Sequence, residues 1–152
     1  PCSDFYRFAC GGWLDQVEDP WLWGLFRHQV AGTWVRPMGQ GGVAVLGDAA
    51  HPTLPFLAQG ASMGLEDAWV LAEALATHDS VAAALTAFQG ARKPRTTRIV
   101  AAATANARAY HLAGLPRMIG HTGLRLLGRL SPGTMRSRFD WLYGHDVTQN
   151  GT

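Results

Sequence analysis

The spacing of apolar residues changes along the chain, and each change marks a different kind of element. The first 46 residues read as strands and loops. Trp21-Leu22-Trp23-Gly24-Leu25-Phe26 is an aromatic run bounded by Pro20 and later glycines, and it predicts a strand. Gly39-Gln40-Gly41-Gly42 predicts a turn, because glycine reaches positive φ angles that other residues avoid. Val43-Ala44-Val45-Leu46 is a short apolar run without polar alternation, which predicts a strand buried on both faces. From about residue 61 to 76 the period becomes helical: Leu65, Ala68, Trp69, Ala72 and Leu75 recur at three- and four-residue spacing. Asp79 or Ser80 can cap a second helix, with Val81, Ala84, Leu85 and Phe88 as its buried stripe. Pro94 predicts a break or kink near Lys93, since the residue before a proline avoids helical angles. Another alanine-rich helix is expected from about Pro94 to Leu112, and a short one around Leu124 to Leu130. No internal repeat or low-complexity tract interrupts this order.

Composition supports a folded domain. Apolar residues make up 47% of 152 and charged residues 16%, which argues against disorder. Of six tryptophans, Trp13, Trp21, Trp23 and Trp34 fall in the first 34 residues and read as core and sheet packing. Net charge is only +2, yet no acidic residue lies between Asp79 and Asp140, where ten basic ones occur. That basic half reads as a solvated face, or as one paired with acidic residues elsewhere. Arg92, Lys93, Arg95 and Arg98 occupy neighbouring helical turns and would pair with acidic residues of a portion outside the chain, with exposed helix-surface charge as the plainer reading. No nucleic-acid motif accompanies the charge, so nucleic acid is not an expected partner. Cys2 and Cys10 lack CxxC or zinc spacing and read as free thiols in a reducing cytoplasm. The six histidines lack metal-site spacing, so no metal is expected. No signal peptide is visible, and no stretch approaches the ~18 apolar residues of a membrane span.

The chemistry concentrates where strand pattern gives way to helix. Gly47-Asp48-Ala49-Ala50-His51-Pro52 is followed by Pro55-Phe56-Leu57-Ala58-Gln59-Gly60-Ala61-Ser62-Met63-Gly64, then Glu66-Asp67-Ala68. A strand thus delivers a carboxylate, Asp48, at its C-terminal end, where layered α/β folds place ligands. A carboxylate accepts hydrogen bonds from sugar-type hydroxyls more strongly than a neutral acceptor does. The helix opening at Gly60 points unpaired N–H groups and its positive dipole end at the same loop, favouring a group that becomes negative. The plainer reading of Asp48 is a cap for the loop after a strand. His51 stays open between approaching a ligand and holding the loop by a backbone hydrogen bond. Pro55 and Phe56 stay open between lining a pocket and simple packing. Tyr110 and His111 have no partner at a known distance that would make them an acid/base pair.

Val43-Ala44-Val45-Leu46-Gly47-Asp48-Ala49-Ala50-His51-Pro52, with Gln59-Gly60-Ala61 and Glu66-Asp67-Ala68, closely resembles the second flavin motif of the single-component FAD-dependent aromatic hydroxylases. That group includes para-hydroxybenzoate hydroxylase and, nearer in pattern, salicylate hydroxylase. Leu85-Thr86-Ala87-Phe88 with Arg92, Pro94 and Arg95 resembles the family's following helix. Tyr110-His111-Leu112 and Asp140-Trp141-Leu142-Tyr143-Gly144 resemble features near its C-terminus, so the likeness runs from about Trp21 to Val147. It implies an α+β or α/β fragment of a para-hydroxybenzoate hydroxylase-like fold: the last strands of the substrate and FAD-binding sheets, then C-terminal helices. Residues 1–42 would end the substrate-binding sheet region, 43–78 would hold the flavin motif, and 79–152 would be the helical region.

The resemblance also implies roles. Gly47 and Asp48 would meet the ribityl chain of FAD. Gly60, Ala61, Ser62 and Met63 would open a helix toward the N1–C2=O edge of the flavin ring, with Pro55 beside the ring. His51, Phe56 and Trp23 would lie near the substrate pocket. NADH or NADPH would reduce the flavin, and O2 would form a flavin C4a-hydroperoxide that hydroxylates an electron-rich aromatic substrate. Ser62 departs from the asparagine that many members carry. No GxGxxG follows a strand, the fingerprint for the ADP pyrophosphate. The expectation is therefore a C-terminal part, begun at Pro1 rather than methionine, which binds FAD weakly or not at all until an N-terminal FAD-binding portion completes it. Two other readings keep different chemistry: a related flavoprotein acting as halogenase, reductase or epoxidase, and a non-catalytic interaction fragment using its basic helical face.

Overall fold

A computed structural model of the chain describes residue 24 and residues 26–149. The strand expected over Trp21–Phe26 falls mostly outside the described residues; Phe26 itself is exposed and lies in no strand. Among the described residues the only strands are β1 (Val35–Met38) and β2 (Gly41–Ala44), an antiparallel hairpin with Val35 opposite Ala44 and Met38 opposite Gly41. Two 3-10 turns, Gly47–Ala49 and Pro55–Leu57, lead into α1 (Gly60–Thr77). There follow α2 (Val81–Tyr110), α3 (Gly114–Leu130), α4 (Pro132–Ser137) and α5 (Asp140–Tyr143). The described part is thus mainly helical with a small sheet, compatible with a piece of a larger mixed fold.

The hairpin corrects the expected strand. Residues 43–46 were to be buried on both faces, yet β2 begins at Gly41, ends at Ala44, and Val43 is 53% exposed. The physical reason is that β2 has one strand neighbour, and only its inner side meets α2. Gly42 allows that contact: a Cβ there would come within 2.5 Å of Leu85 Cδ1 and 3.1 Å of Arg36 O. Beyond β2 the chain stays tied to the hairpin's start, as Val45 N donates to Trp34 O (2.8 Å).

The helix α1 has the expected extent but turns the other way. Leu65, Trp69 and Leu75 are large and exposed, Leu65 at 74%, whereas Met63, Asp67 and Ala74 are buried. The apolar stripe does not set the orientation; a charged residue does, because Asp67 needs the cation that α2 supplies. In α2 the expectations are met at the start: Ser80 caps it, accepting from Ala83 N (3.2 Å), and Ala84, Leu85 and Phe88 are buried. They fail at Pro94. Instead of two helices broken near Lys93, one 30-residue helix runs through the proline. Residues on both sides of it, Arg92 and Arg95, are ion-paired to α1, so tertiary bonds offset the lost N–H. The last expected helix, Leu124–Leu130, is the end of a 17-residue one. Arg117, His121, Arg125 and Arg129 recur on α3 at four-residue spacing beside Leu115, Ile119, Leu126 and Leu130, and all of these are exposed.

Two apolar clusters hold these elements. Trp34, Ala50, Ala74, Ala84 and Phe88 join the hairpin, the Gly47 loop, α1 and α2. Leu57, Met63, Ile99, Ala103 and Leu142 join the Pro55 turn, α1, α2 and α5. Trp34 is the hub of the first: its ring lies 6.0 Å from Phe88 and 5.2 Å from His51, its backbone N–H donates to Gln89 Oε1 (2.6 Å), and its indole N–H donates to Ala31 O (3.0 Å). Phe88→Ala should lose roughly 3–5 kcal/mol, as expected for a fully buried aromatic truncated to alanine. Leu65→Gln should stay within about 0.5 kcal/mol of wild type. Chemical denaturation reads both, and a reversed ranking would contradict the assigned faces.

Candidate functional site

Gly47 begins the site. Its φ of +59° suits glycine, and its N–H donates to Asp67 Oδ2 at 3.0 Å. The turn it opens closes on itself, with Ala50 N and His51 N both donating to Gly47 O (2.9 Å each). Gly47 also lies against Gly64 in the first turns of α1: a Cβ on either would sit 3.9–4.0 Å from the other's Cα. Two small residues thereby bring the loop that carries Asp48 beside the start of α1. Asp48 is exposed at the turn.

The start of α1 is open. Gln59 at its N-cap makes no side-chain capping bond, and Met63 N is the first amide satisfied in the helix, by Gln59 O (2.9 Å). The amides of Gly60, Ala61 and Ser62 therefore remain available, with Ala61 and Ser62 exposed and Met63 buried. Pro55 is exposed at the head of its turn, and Phe56 is half-buried, stacked on Tyr110 (5.6 Å, 25°) with its ring edge-on to His111 (6.4 Å). Ala58 closes the turn in the left-handed region (φ 51°, ψ 35°) and donates to Pro55 O (3.1 Å). Trp23 lies outside the described residues, as do Cys2 and Cys10.

Behind this surface stands an ionic cluster that sequence reasoning did not assemble. His51 Nε2 donates to Asp67 Oδ2 (2.5 Å), and Arg92 Nε donates to Asp67 Oδ1 (2.7 Å). Arg92 Nη2 pairs with Glu66 Oε2 (2.7 Å), and Arg95 grips Glu66 with Nε at 2.8 Å and Nη2 at 2.9 Å. This corrects two expectations. His51 is not at a pocket surface: it is fully buried, held by a side chain, and its Nδ1 has no hydrogen-bond partner among the described residues. Arg92 and Arg95 are not surface charge awaiting an outside acid; their partners are Glu66 and Asp67, one helix away. The signal was present in Glu66-Asp67 inside an otherwise apolar helix, but pairing across 25–29 residues leaves no local pattern.

Burial raises the Asp67 carboxyl, but hydrogen bonds from His51, the Gly47 N–H and Arg92 outweigh it and hold the group below its ordinary range. Burial likewise raises Glu66, and the Arg95 hydrogen bond with the Arg92 and Arg95 charges brings it below its usual value. Asp67 is therefore an anion at neutral pH, and it fixes the loop. Asp48 is exposed and stands outside this ionic cluster.

The family described as FAD binding domain matches residues 23–103. The chain is 34% identical to 3-amino-4-hydroxybenzoate 2-monooxygenase PtnB3 of Streptomyces platensis, over 95% of the chain and 36% of that protein. It is 40% identical to 3-hydroxybenzoate 6-hydroxylase of Klebsiella oxytoca (72% and 27%) and 33% identical to salicylate hydroxylase of Pseudomonas putida (91% and 32%). The chain spans about a third of the length of the curated relatives it matches.

Asp67→Ala leaves Arg92 buried without its carboxylate and should cost roughly 3–5 kcal/mol, measured by denaturant titration. Because both carboxyls are lowered on folding, their contribution is complete above the ordinary carboxylate values, about pH 4, and is lost as pH falls through the lower folded values. The wild-type Tm should decline on that acid side. Asp67→Asn should flatten the decline, and an unchanged acid limb would refute this account.

Proposed function

The chain belongs to the family of FAD binding domains, and from that membership we propose that it forms the flavin-ring side of the cofactor site in an FAD-dependent monooxygenase acting on an aromatic ring. One observation carries the reading: an exposed carboxylate, Asp48, stands beside the uncapped first turn of α1, brought there by the contact of Gly47 with Gly64. The residues suit the group. The ribityl hydroxyls of FAD are donors that a carboxylate accepts well, and the N1–C2=O edge of its ring is an acceptor that helix amides answer.

Bound FAD would supply dioxygen activation at the expense of NADH or NADPH, one oxygen atom of O2 going to the ring and the other to water. This chain's residues bind and orient. Asp48 takes the ribityl hydroxyls, with Gly47 setting the turn. The N–H groups of Gly60, Ala61 and Ser62 would hold the N1–C2=O edge of the flavin, and the helix dipole favours negative charge there by about 1 kcal/mol. Met63 anchors that turn by burial, and Pro55 and Phe56 border the ring and its substrate. No proton-transfer group is assigned. In this reading the ADP half of FAD is held by a portion outside the chain, since no GxGxxG is present. The relatives are named for 3-hydroxybenzoate, salicylate and 3-amino-4-hydroxybenzoate chemistry, so a carboxylated phenol is the proposed substrate class.

In a polypeptide completed by an ADP-binding portion, Asp48→Ala should weaken FAD binding about 10- to 100-fold, the cost of a charged hydrogen-bond acceptor. Flavin fluorescence titration measures it, and an unchanged Kd removes the assignment. Assayed with hydroxybenzoates, the same preparation should consume NAD(P)H and yield ring-hydroxylated product. Halogenated or epoxidised product in its place would move the protein to a sister chemistry.

A further inference from the structure

The motif Asp140-Trp141-Leu142-Tyr143-Gly144 has no place in the cofactor site, yet it is packed against the loop that has one. We propose that α5 is a brace for the Pro55–Ala58 turn, and that Tyr143 positions this turn at the flavin; the second clause rests on the flavin reading above. Each carbonyl of the turn is tied in a different way. Pro55 O receives the Ala58 N–H (3.1 Å), Phe56 O receives Asn106 Nδ2 from α2 (3.4 Å), and Leu57 O receives Tyr143 Oη from α5 (3.2 Å). The turn is therefore gripped from two elements at once, and its own hydrogen bond is only one of three.

The brace is anchored independently of the turn. Arg95 donates to Trp141 O (3.2 Å) and to Leu142 O (3.4 Å), and Arg98 lies over the Trp141 ring at 3.8 Å. Arg95 is itself fixed by Glu66 of α1. Leu142 is buried with Leu57 and Met63, so α5 is fastened to the start of α1 as well as to the turn. Tyr143 differs from these residues in being 61% exposed. Its ring fills no core space, and its hydroxyl is what reaches Leu57. Removing the hydroxyl opens no cavity and leaves the Leu142 contacts in place, which separates positioning of the turn from stability of the fold.

Hydrogen exchange on the full chain reads the brace without any cofactor. Tyr143→Phe should speed exchange of the Ala58 amide about 5-fold, equal to ~1 kcal/mol or one hydrogen bond, with α2 amides unchanged and Tm lowered only slightly. In the completed flavoenzyme, Tyr143→Phe should retain FAD, shift the visible flavin spectrum and raise KM for the aromatic substrate by a similar factor, with kcat less affected. Leu142→Ala, by contrast, should lower Tm substantially. Unchanged Ala58 exchange overturns the brace. An unchanged flavin spectrum and KM overturn its positioning role, even if exchange quickens. Asp48→Ala, run alongside, separates the two failures. If it loses FAD while Tyr143→Phe is silent, only the brace falls; if it keeps full affinity, the flavin reading falls and takes the positioning role with it.

Discussion

The carboxylate of Asp67 has no exposed surface, and an isolated buried charge of that kind is expensive enough to unfold a small domain. Here three donors from three parts of the chain meet it: the Gly47 amide, the His51 imidazole and the Arg92 guanidinium. Because two of them are the ends of one five-residue loop, satisfying the charge also closes that loop around Asp48. The requirement extends outward, since Arg92 must in turn be answered by Glu66, and Glu66 by Arg95. A polar chain thus runs from the Gly47–His51 loop to α5, through the space where α1 and α2 pack.

This chain of charges decides features that apolar patterning alone gets backwards. An amphipathic helix normally buries its apolar stripe, but α1 turns Leu65 and Trp69 outward so that Asp67 can face α2. A proline in a helix interior normally breaks it, but α2 continues through Pro94 because ion pairs one turn apart fasten both sides to the same neighbour. In each case a few strong, directional bonds outweigh a weaker local preference. The outward stripe of α1, like the exposed apolar row of α3, lies in a chain that covers about a third of its relatives' length.

Local chemistry was readable from the sequence and non-local chemistry was not. Ser80 caps α2 and Phe88 lies under it because capping and helical period are decided within four residues. The Gly47–Asp48 turn and the helix after Gly60 were legible for the same reason, and they form the part of the candidate site that carries the functional proposal. The ion pairs were illegible, since nothing near Arg92 in sequence points to a carboxylate 25 residues earlier. The burial of the Val43–Leu46 segment was overestimated because it depends on neighbouring strands, which a run of apolar letters cannot supply. The helix α3 was cut short by Gly120, Gly123 and Gly128, each a weak helix former that the longer period overrides.

The left-handed backbone of Ala58 has a consequence of its own. For a residue with a side chain, that conformation costs roughly 1–2 kcal/mol relative to its right-handed counterpart, and neither glycine nor asparagine is there to relieve it. The side chains that tether the carbonyls of the turn, Asn106 and Tyr143, help to hold this conformation in place. The cost of that backbone is of the same order as one such tether, so a position that disfavours side chains is kept by bonds made from outside the turn.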